Sequence, residues 1–356
     1  MVVDWLFNDN ELNDDNEATD QLQHRRPRII RDRMNWFQLY DDVDFKIRFR
    51  LSKEMVNMLM GKIEHKLIVY NTERNNTIPP IIQLLVTLRF MASGSFLISI
   101  TDFCGISKSS AQRIVHKIST TIAEMYDEYI KFPTDPNDIS KTEIENFKLP
   151  GFIPVIGAID GFHVKIQSYG GGDSELFRNR KGFFSLNVQA IVNCKLQFLD
   201  LVVRWPGSIH DATIFDNSQI KARFENGEFG NAILLGDSGY PCLPYLLTPL
   251  QNPESPGEVL YNESLIRTRS MVERCFGVFG KMFPILTIGS RLRTPSKTMT
   301  LIIACGILHN ISRSTVEPED INEVVYNRIN SELDENLHND ERRYLIENYF
   351  TKLVQD

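Results

Sequence analysis

From Phe45 to about Pro133 apolar positions recur every three to four residues, a spacing that predicts helices. Pro79 and Pro80 are placed to start a helix carrying Ile82, Leu85, Val86, Arg89 and Phe90, and Gly94 is placed to stop it. The stretch Phe96 to Cys104 leads through Gly105-Ile106-Ser107 into a longer amphipathic segment from Lys108, where Ile114, Val115, Ile118, Ile122 and Met125 keep helical spacing. Two helices joined by a turn with glycine, the second capped by serine, form a helix-turn-helix pattern. The start of the second helix would enter the major groove and bring Lys108, Gln112 and Arg113 to phosphates and base edges. Plain helical bundles share this spacing, so both readings stand.

Beyond Phe132-Pro133-Thr134-Asp135-Pro136, which reads as a linker, the period changes. Residues 154–167 read as a strand, and 185–192 and 197–204 as a hairpin joined by Asn193-Cys194-Lys195-Leu196. A helix is expected near Asp211, a fourth strand over 232–235, and a proline-rich loop from Pro241 to Pro256. One helix then holds Glu273, and another holds Leu301, Ile302, Ala304, Ile307 and Leu308. Strands mixed with helices predict an α/β domain. The expected organisation is a disordered arm over 1–40, a helical domain over 41–135, an α/β domain over 150–313 and a charged extension over 314–356.

The formal charge of −7 over 356 residues argues against a protein that coats nucleic acid through global attraction, so any such contact needs local basic patches or a partner. Cys104, Cys194, Cys242, Cys275 and Cys305 are scattered, without a CxxC pair, which favours reduced thiols. Acid near Met1 speaks against a signal peptide, and Arg89 and Gly94 interrupt the longest apolar stretch, which speaks against a membrane span. Arg25, Arg26, Arg28, Arg31 and Arg33 surround Pro27 and read as a nuclear-import signal, a phosphate-contacting arm or a solvated tail; cytosol or nucleus is expected, the nucleus first.

Three acids change the picture. Asp160 interrupts the run Pro154-Val-Ile-Gly-Ala-Ile, Asp237 closes Ala232-Ile-Leu-Leu-Gly, and Glu273 lies within Met271-Val-Glu273-Arg-Cys-Phe276. Carboxylates in apolar surroundings need a partner, and three together suggest a shared cation, Mg2+ or Mn2+, since hard divalent ions take oxygen ligands. Taken singly each acid has an ordinary reading, a strand end, an Asx-turn or a helix surface. Arg178, Arg180 and Lys181 precede the hairpin, and Arg267, Arg269 and Arg274 flank the third acid, where they would hold a phosphate backbone or form surface salt bridges. His163 and His210 lie beside candidate ligands, although Mg2+ prefers oxygen to imidazole.

The motifs Gly157-Ala-Ile-Asp160-Gly-Phe-His163-Val, Asn179-Arg-Lys-Gly-Phe-Phe-Ser-Leu-Asn187, Trp205-Pro-Gly-Ser-Ile-His-Asp211-Ala-Thr-Ile-Phe215, Leu235-Gly-Asp237-Ser-Gly-Tyr-Pro241 and Arg267-Thr-Arg-Ser-Met-Val-Glu273-Arg-Cys-Phe-Gly277 follow one another in an order that resembles the PIF/Harbinger transposases. The resemblance spans roughly residues 80–312 and rests on five ordered motifs. It implies an RNase H-like mixed sheet with flanking helices, preceded by the helix-turn-helix region, and Asp-Asp-Glu chemistry. Asp160 would be the first acid, on the central strand, Asp237 the second and Glu273 the third, on a helix across the sheet. Asp211 matches a further acidic position of the metal shell. The implied activity is two-metal hydrolysis of DNA phosphodiesters, with a separate Myb/SANT-like DNA-binding protein as partner. The alternative is a domesticated, catalytically silent DNA-binding or adaptor protein. Phe162 departs from the pattern, since relatives often carry a small residue there.

Overall fold

The computed structural model describes residues 34–67, 77–147, 152, 155–292, 294–314 and 341–355. The arginine cluster of the expected arm lies outside the described residues. The arm's end does not, and there Trp36 is buried in a short helix, α1 (Trp36–Leu39). The helices α2 (Asp42–Phe49), α3 (Lys53–Leu67), α4 (Pro80–Ser93), α5 (Leu97–Cys104), α6 (Lys108–Ala123), α7 (Tyr126–Tyr129) and α8 (Pro136–Phe147) follow. Their ends obey local chemistry. Pro79 and Pro80 open α4, Gly94 closes it at φ 61°, and the Ser107 hydroxyl accepts the Ser110 N–H at the start of α6.

The expected linker departs from expectation. Phe132 is buried against Phe224 and Phe229, and α8 begins at Pro136, so packing anchors a stretch that proline composition alone reads as a connector.

Five strands form a mixed sheet in the order β3-β2-β1-β4-β5. They are β1 (Gly157–Lys165), β2 (Ser185–Val192), β3 (Phe198–Pro206), β4 (Leu234–Leu235) and β5 (Leu246–Leu247). β2 pairs antiparallel with β1 and β3, whereas β4 runs parallel to β1 and β5. Thus β1 is central, and β5 falls inside the stretch that the prolines marked as loop. The remaining helices are α9 (Asp211–Asp216), α10 (Gln219–Glu225), α11 (Pro256–Met282), α12 (Ile285–Ile288) and α13 (Pro295–Arg313). This is an α/β fold with an RNase H-like mixed sheet between helices.

Strand alternation separates two cores. Ala158 and Val164 of β1, with Leu186, Val188 and Ala190 of β2, join a cluster that includes α11, α13 and the N-terminal helices. Ile159 and Ile191, one position out of phase, join Phe215, Ile220 and Phe224 of α9 and α10 on the opposite face. The helix α6 packs on α13 and α4, so the helical region and the sheet share one core.

The expected charged extension also carries apolar anchors. Residues 341–355 are helical, and Leu345 and Phe350 are fully buried, Phe350 against Phe152 and Tyr261. No helix among the described residues is long and apolar enough to cross a membrane.

Candidate active site

Asp160 occupies the middle of β1, on the face covered by α11. Arg269 reaches it from that helix: Nη1 lies 2.9 Å from Asp160 Oδ2, while Nη2 donates to Glu273 Oε1 at 2.8 Å. One guanidinium therefore ties the first and third expected acids together, with Glu273 one turn beyond Arg269 on the helix surface. Both ends of the inner pair are largely enclosed, at 15 % and 17 % side-chain exposure, so the contact escapes most of the solvent screening that weakens surface pairs.

Asp211 approaches from the opposite face. It opens α9, and its carboxylate lies against Gly161, where a Cβ would stand only 2.2 Å from Asp211 Oδ1. Glycine at 161 is thus a steric requirement of that approach. Asp237 follows β4 and accepts the Gly239 N–H at 2.9 Å, the turn its sequence suggested.

Burial lifts the Asp160 pKa to about 6; the Gly161 N–H and Arg269 pull it down, whereas Asp237 and Asp211 push it further up. Tyr240 is held well above its ordinary range, first by burial and then by Asp211, Asp160 and Asp237. Asp160 and Tyr240 therefore each lie within electrostatic reach of Asp211 and Asp237.

Elements distant in sequence thus bring Asp211 and Asp237 within electrostatic reach of Asp160, and Glu273 joins through Arg269. Among the described residues, no three His, Cys, Asp or Glu side chains gather closely enough to hold one ion. The chemistry of the donor set nevertheless fits a hard divalent cation. It consists of carboxylates, the charged form of Asp160 being disfavoured first by burial and then by Asp237 and Asp211, and the buried amide oxygens Asn187 Oδ1 and Gln189 Oε1 have no hydrogen-bond partner.

The basic candidates divide. Arg178 is committed to its own turn, pairing with Glu175 at 2.7 Å, donating to the Gly182 carbonyl and stacking on Phe184. Arg180 and Lys181 are exposed, and Arg180 contacts the His210 ring. The His163 imidazole is held below its ordinary pKa, first by partial enclosure of the ring, with Asp211 opposing and Lys181 and Arg180 adding to the effect. These cations therefore lie on the Asp211 side of the sheet. Lys108, Gln112 and Arg113 project from the exposed side of α6, opposite its buried Ala111, Ile114, Val115 and Ile118. Next to Asp237, a cavity of about 380 Å³ is lined by Ser238, Tyr240, Cys242, Thr248, Gln251 and Arg342.

Asn187, Gln189 and Tyr240 surround Asp211, yet residue type alone did not single them out. For the two amides the signal was the polar alternation Ser185, Asn187, Gln189 within a strand that the fold buries completely.

Comparison with known proteins supplies the family. The DDE superfamily endonuclease family matches residues 159–310. The human protein named "Putative nuclease HARBI1" is 34 % identical over 243 residues, covering 68 % of this chain and 69 % of that protein. Its Xenopus laevis counterpart is 31 % identical over 244 residues, covering 68 % and 70 %. "Protein ALP1-like" of Arabidopsis thaliana is 24 % identical over 282 residues, covering 75 % and 69 %. No solved structure matches. The matched segment carries Asp160, Asp211, Asp237 and Glu273 in order, and the likeness extends over more than two thirds of the human protein: this chain belongs to the DDE superfamily endonucleases.

Proposed function

We propose that this protein is a divalent-cation-dependent DNA endonuclease that hydrolyses phosphodiester bonds at Asp160, Asp237 and Glu273, with Asp211 in the same metal shell. The observation that carries the reading is the approach of Asp211 and Asp237 to the enclosed Asp160, where the one guanidinium of Arg269 is shared between Asp160 and Glu273 and leaves the other carboxylates in need of positive charge. Mg2+ or Mn2+, held by these carboxylates, would supply that charge, lower the pKa of an attacking water and stabilise the leaving 3′ oxygen. The protein's own groups orient the reaction. Arg269 holds Asp160 and Glu273 at fixed separation, Gly161 admits Asp211, and Arg180 and Lys181 offer phosphate contacts that position a strand without reading its sequence.

DNA is the substrate that the relatives' nuclease name favours. The exposed face of α6 would add contacts in the major groove, and a Myb/SANT-like partner would supply the positive charge that a chain of net −7 lacks. The nucleus is the compartment that suits a DNA substrate and the arginine cluster at 25–33.

Nicking of supercoiled plasmid with Mn2+ tests the reading. Asp160→Asn and Glu273→Gln are expected to abolish it, and nicking at the wild-type rate by either variant would assign the activity to a contaminant. A second reading, a DNA-binding adaptor without turnover, is favoured by the engagement of Glu273 with Arg269. It predicts DNA retention on a filter without nicking under any divalent ion.

A further inference from the structure

Ser185, Asn187 and Gln189 alternate along β2 with Leu186, Val188 and Ala190, and all six are exposed by 2 % or less. A polar period of two ordinarily marks a strand face left to water. Here that face is closed. In register with it on β1 lie Gly161, opposite Gln189, and His163, opposite Asn187, while α9 packs against β2 from above.

The enclosed amides converge on one residue. Asn187 Nδ2 donates to Asp211 Oδ1 at 2.7 Å and to the Ile209 carbonyl at 2.8 Å. Gln189 Nε2 donates to the Asp211 carbonyl at 2.9 Å and to Tyr240 Oη at 3.0 Å. Asp211 is gripped at its side chain by one amide and at its backbone by the other, and the missing Cβ of Gly161 leaves the space its carboxylate fills. Packing alone does not call for this. Valine or leucine at both positions would fill the face without leaving Asn187 Oδ1 and Gln189 Oε1 unpaired in the interior. The amides are retained at a cost, and their donors are all spent on Asp211 and the groups beside it.

We infer that Asn187 and Gln189 are positioning residues that fix the Asp211 carboxylate over Gly161, beside Asp160, and through it set the affinity of the site for a divalent cation. The inference rests on the cation-dependent reading above. It adds two residues and a strand face to it.

The test uses the full chain with Mn2+ alone, followed by electron paramagnetic resonance. Asn187→Leu is expected to weaken Mn2+ binding by about 10- to 100-fold, the usual effect of losing a group that orients a metal ligand, while thermal unfolding shows the chain still folded. Added to Asp211→Asn, the same substitution is expected to weaken binding no further, because Asn187 acts through that carboxylate. In plasmid nicking, kcat falls and KM for DNA stays within about twofold. Should Asn187→Leu fail to fold, Tyr240→Phe deletes only the hydroxyl that Gln189 donates to and is expected to weaken Mn2+ binding in the same direction. Unchanged or tighter Mn2+ binding in the folded variants, or an equal loss with and without Asp211, overturns the inference. Wild-type protein that binds no Mn2+ overturns the nuclease reading beneath it.

Discussion

Gly161 sits between two carboxylates that arrive from opposite faces of β1. Asp160 turns toward α11 and Arg269, and Asp211 lies over the glycine itself. Alanine at 161 would press a methyl group to within 2.2 Å of Asp211 Oδ1, and Asn187 blocks an easy retreat. Gly161→Ala is therefore expected to lower Mn2+-dependent nicking by at least about tenfold while leaving the fold intact, because displacement of a site group by an ångström carries that order of penalty. Nicking rates and circular dichroism, measured together, check it, and full activity would show that Asp211 is dispensable. The acids were legible in the chain because a carboxylate amid apolar neighbours is costly and so stands out. Asn187 and Gln189 were not, since a polar residue alternating along a strand is indistinguishable from one that faces water. Arg269 was visible as a basic neighbour of the third acid, but its reach to Asp160, 109 residues away, is a property of the packed helix.

At the level of elements, α13 substitutes polar side chains for backbone partners at the end of the β2–β3 hairpin. Asn310 accepts the Phe198 N–H at 2.9 Å and donates to the Phe198 and Tyr129 carbonyls, both at 2.8 Å. The adjacent His309 has Nε2 2.7 Å from the carbonyl of Leu196, a residue with φ 59° in the hairpin turn, and its Nδ1 has no partner. That pattern fits a neutral ring with its proton on Nε2. Burial lowers the His309 pKa to about 4 from an ordinary 6.5. Unfolded chain thus takes up this proton at higher pH than folded chain. The stabilisation is complete above pH 6.5 and is lost as pH falls toward 4, by roughly 3 kcal/mol in all. Asp200 works in the opposite sense, since burial raises its pKa to about 6 and its contribution declines as pH rises toward that value. The difference between wild type and His309→Gln isolates the histidine. Urea unfolding from pH 7 to pH 4 is expected to show wild type losing stability relative to the variant, and parallel curves would refute the assignment. Most of the helices and the long strands were legible from periodicity, though α1 and α8 fell in stretches read as arm and linker. The fourth strand, expected over 232–235, stands as β4, whereas β5 was read as loop, because pairing with its neighbour rather than local pattern defines it.

Over the whole molecule, packing overrides the divisions that composition suggests. The stretch at 132–136 is anchored by Phe132, α6 seats on α13, and the C-terminal helical segment returns to α11. Phe350 closes that return against Phe152 and Tyr261, fully buried. Phe350→Ala is expected to cost about 3–4 kcal/mol, the range for deleting a buried aromatic ring, and to lower the melting temperature by several degrees. A melting temperature within a degree of wild type would mean that the segment contributes nothing to the core. The amino-acid sequence by itself determined most of the kinds of element, the glycine and proline stops, and the set Asp160, Asp237 and Glu273, because each follows from local propensity or from a carboxylate placed among apolar neighbours, while Asp211 was marked only by the family resemblance. Only the tertiary structure decided which carboxylates press on one another, that Arg269 spans two of them, and that the polar face of β2 turns inward to hold Asp211. Those relations depend on strand register and on how α9 and α11 cover opposite faces of one sheet, and residues far apart in the chain carry no local mark of them.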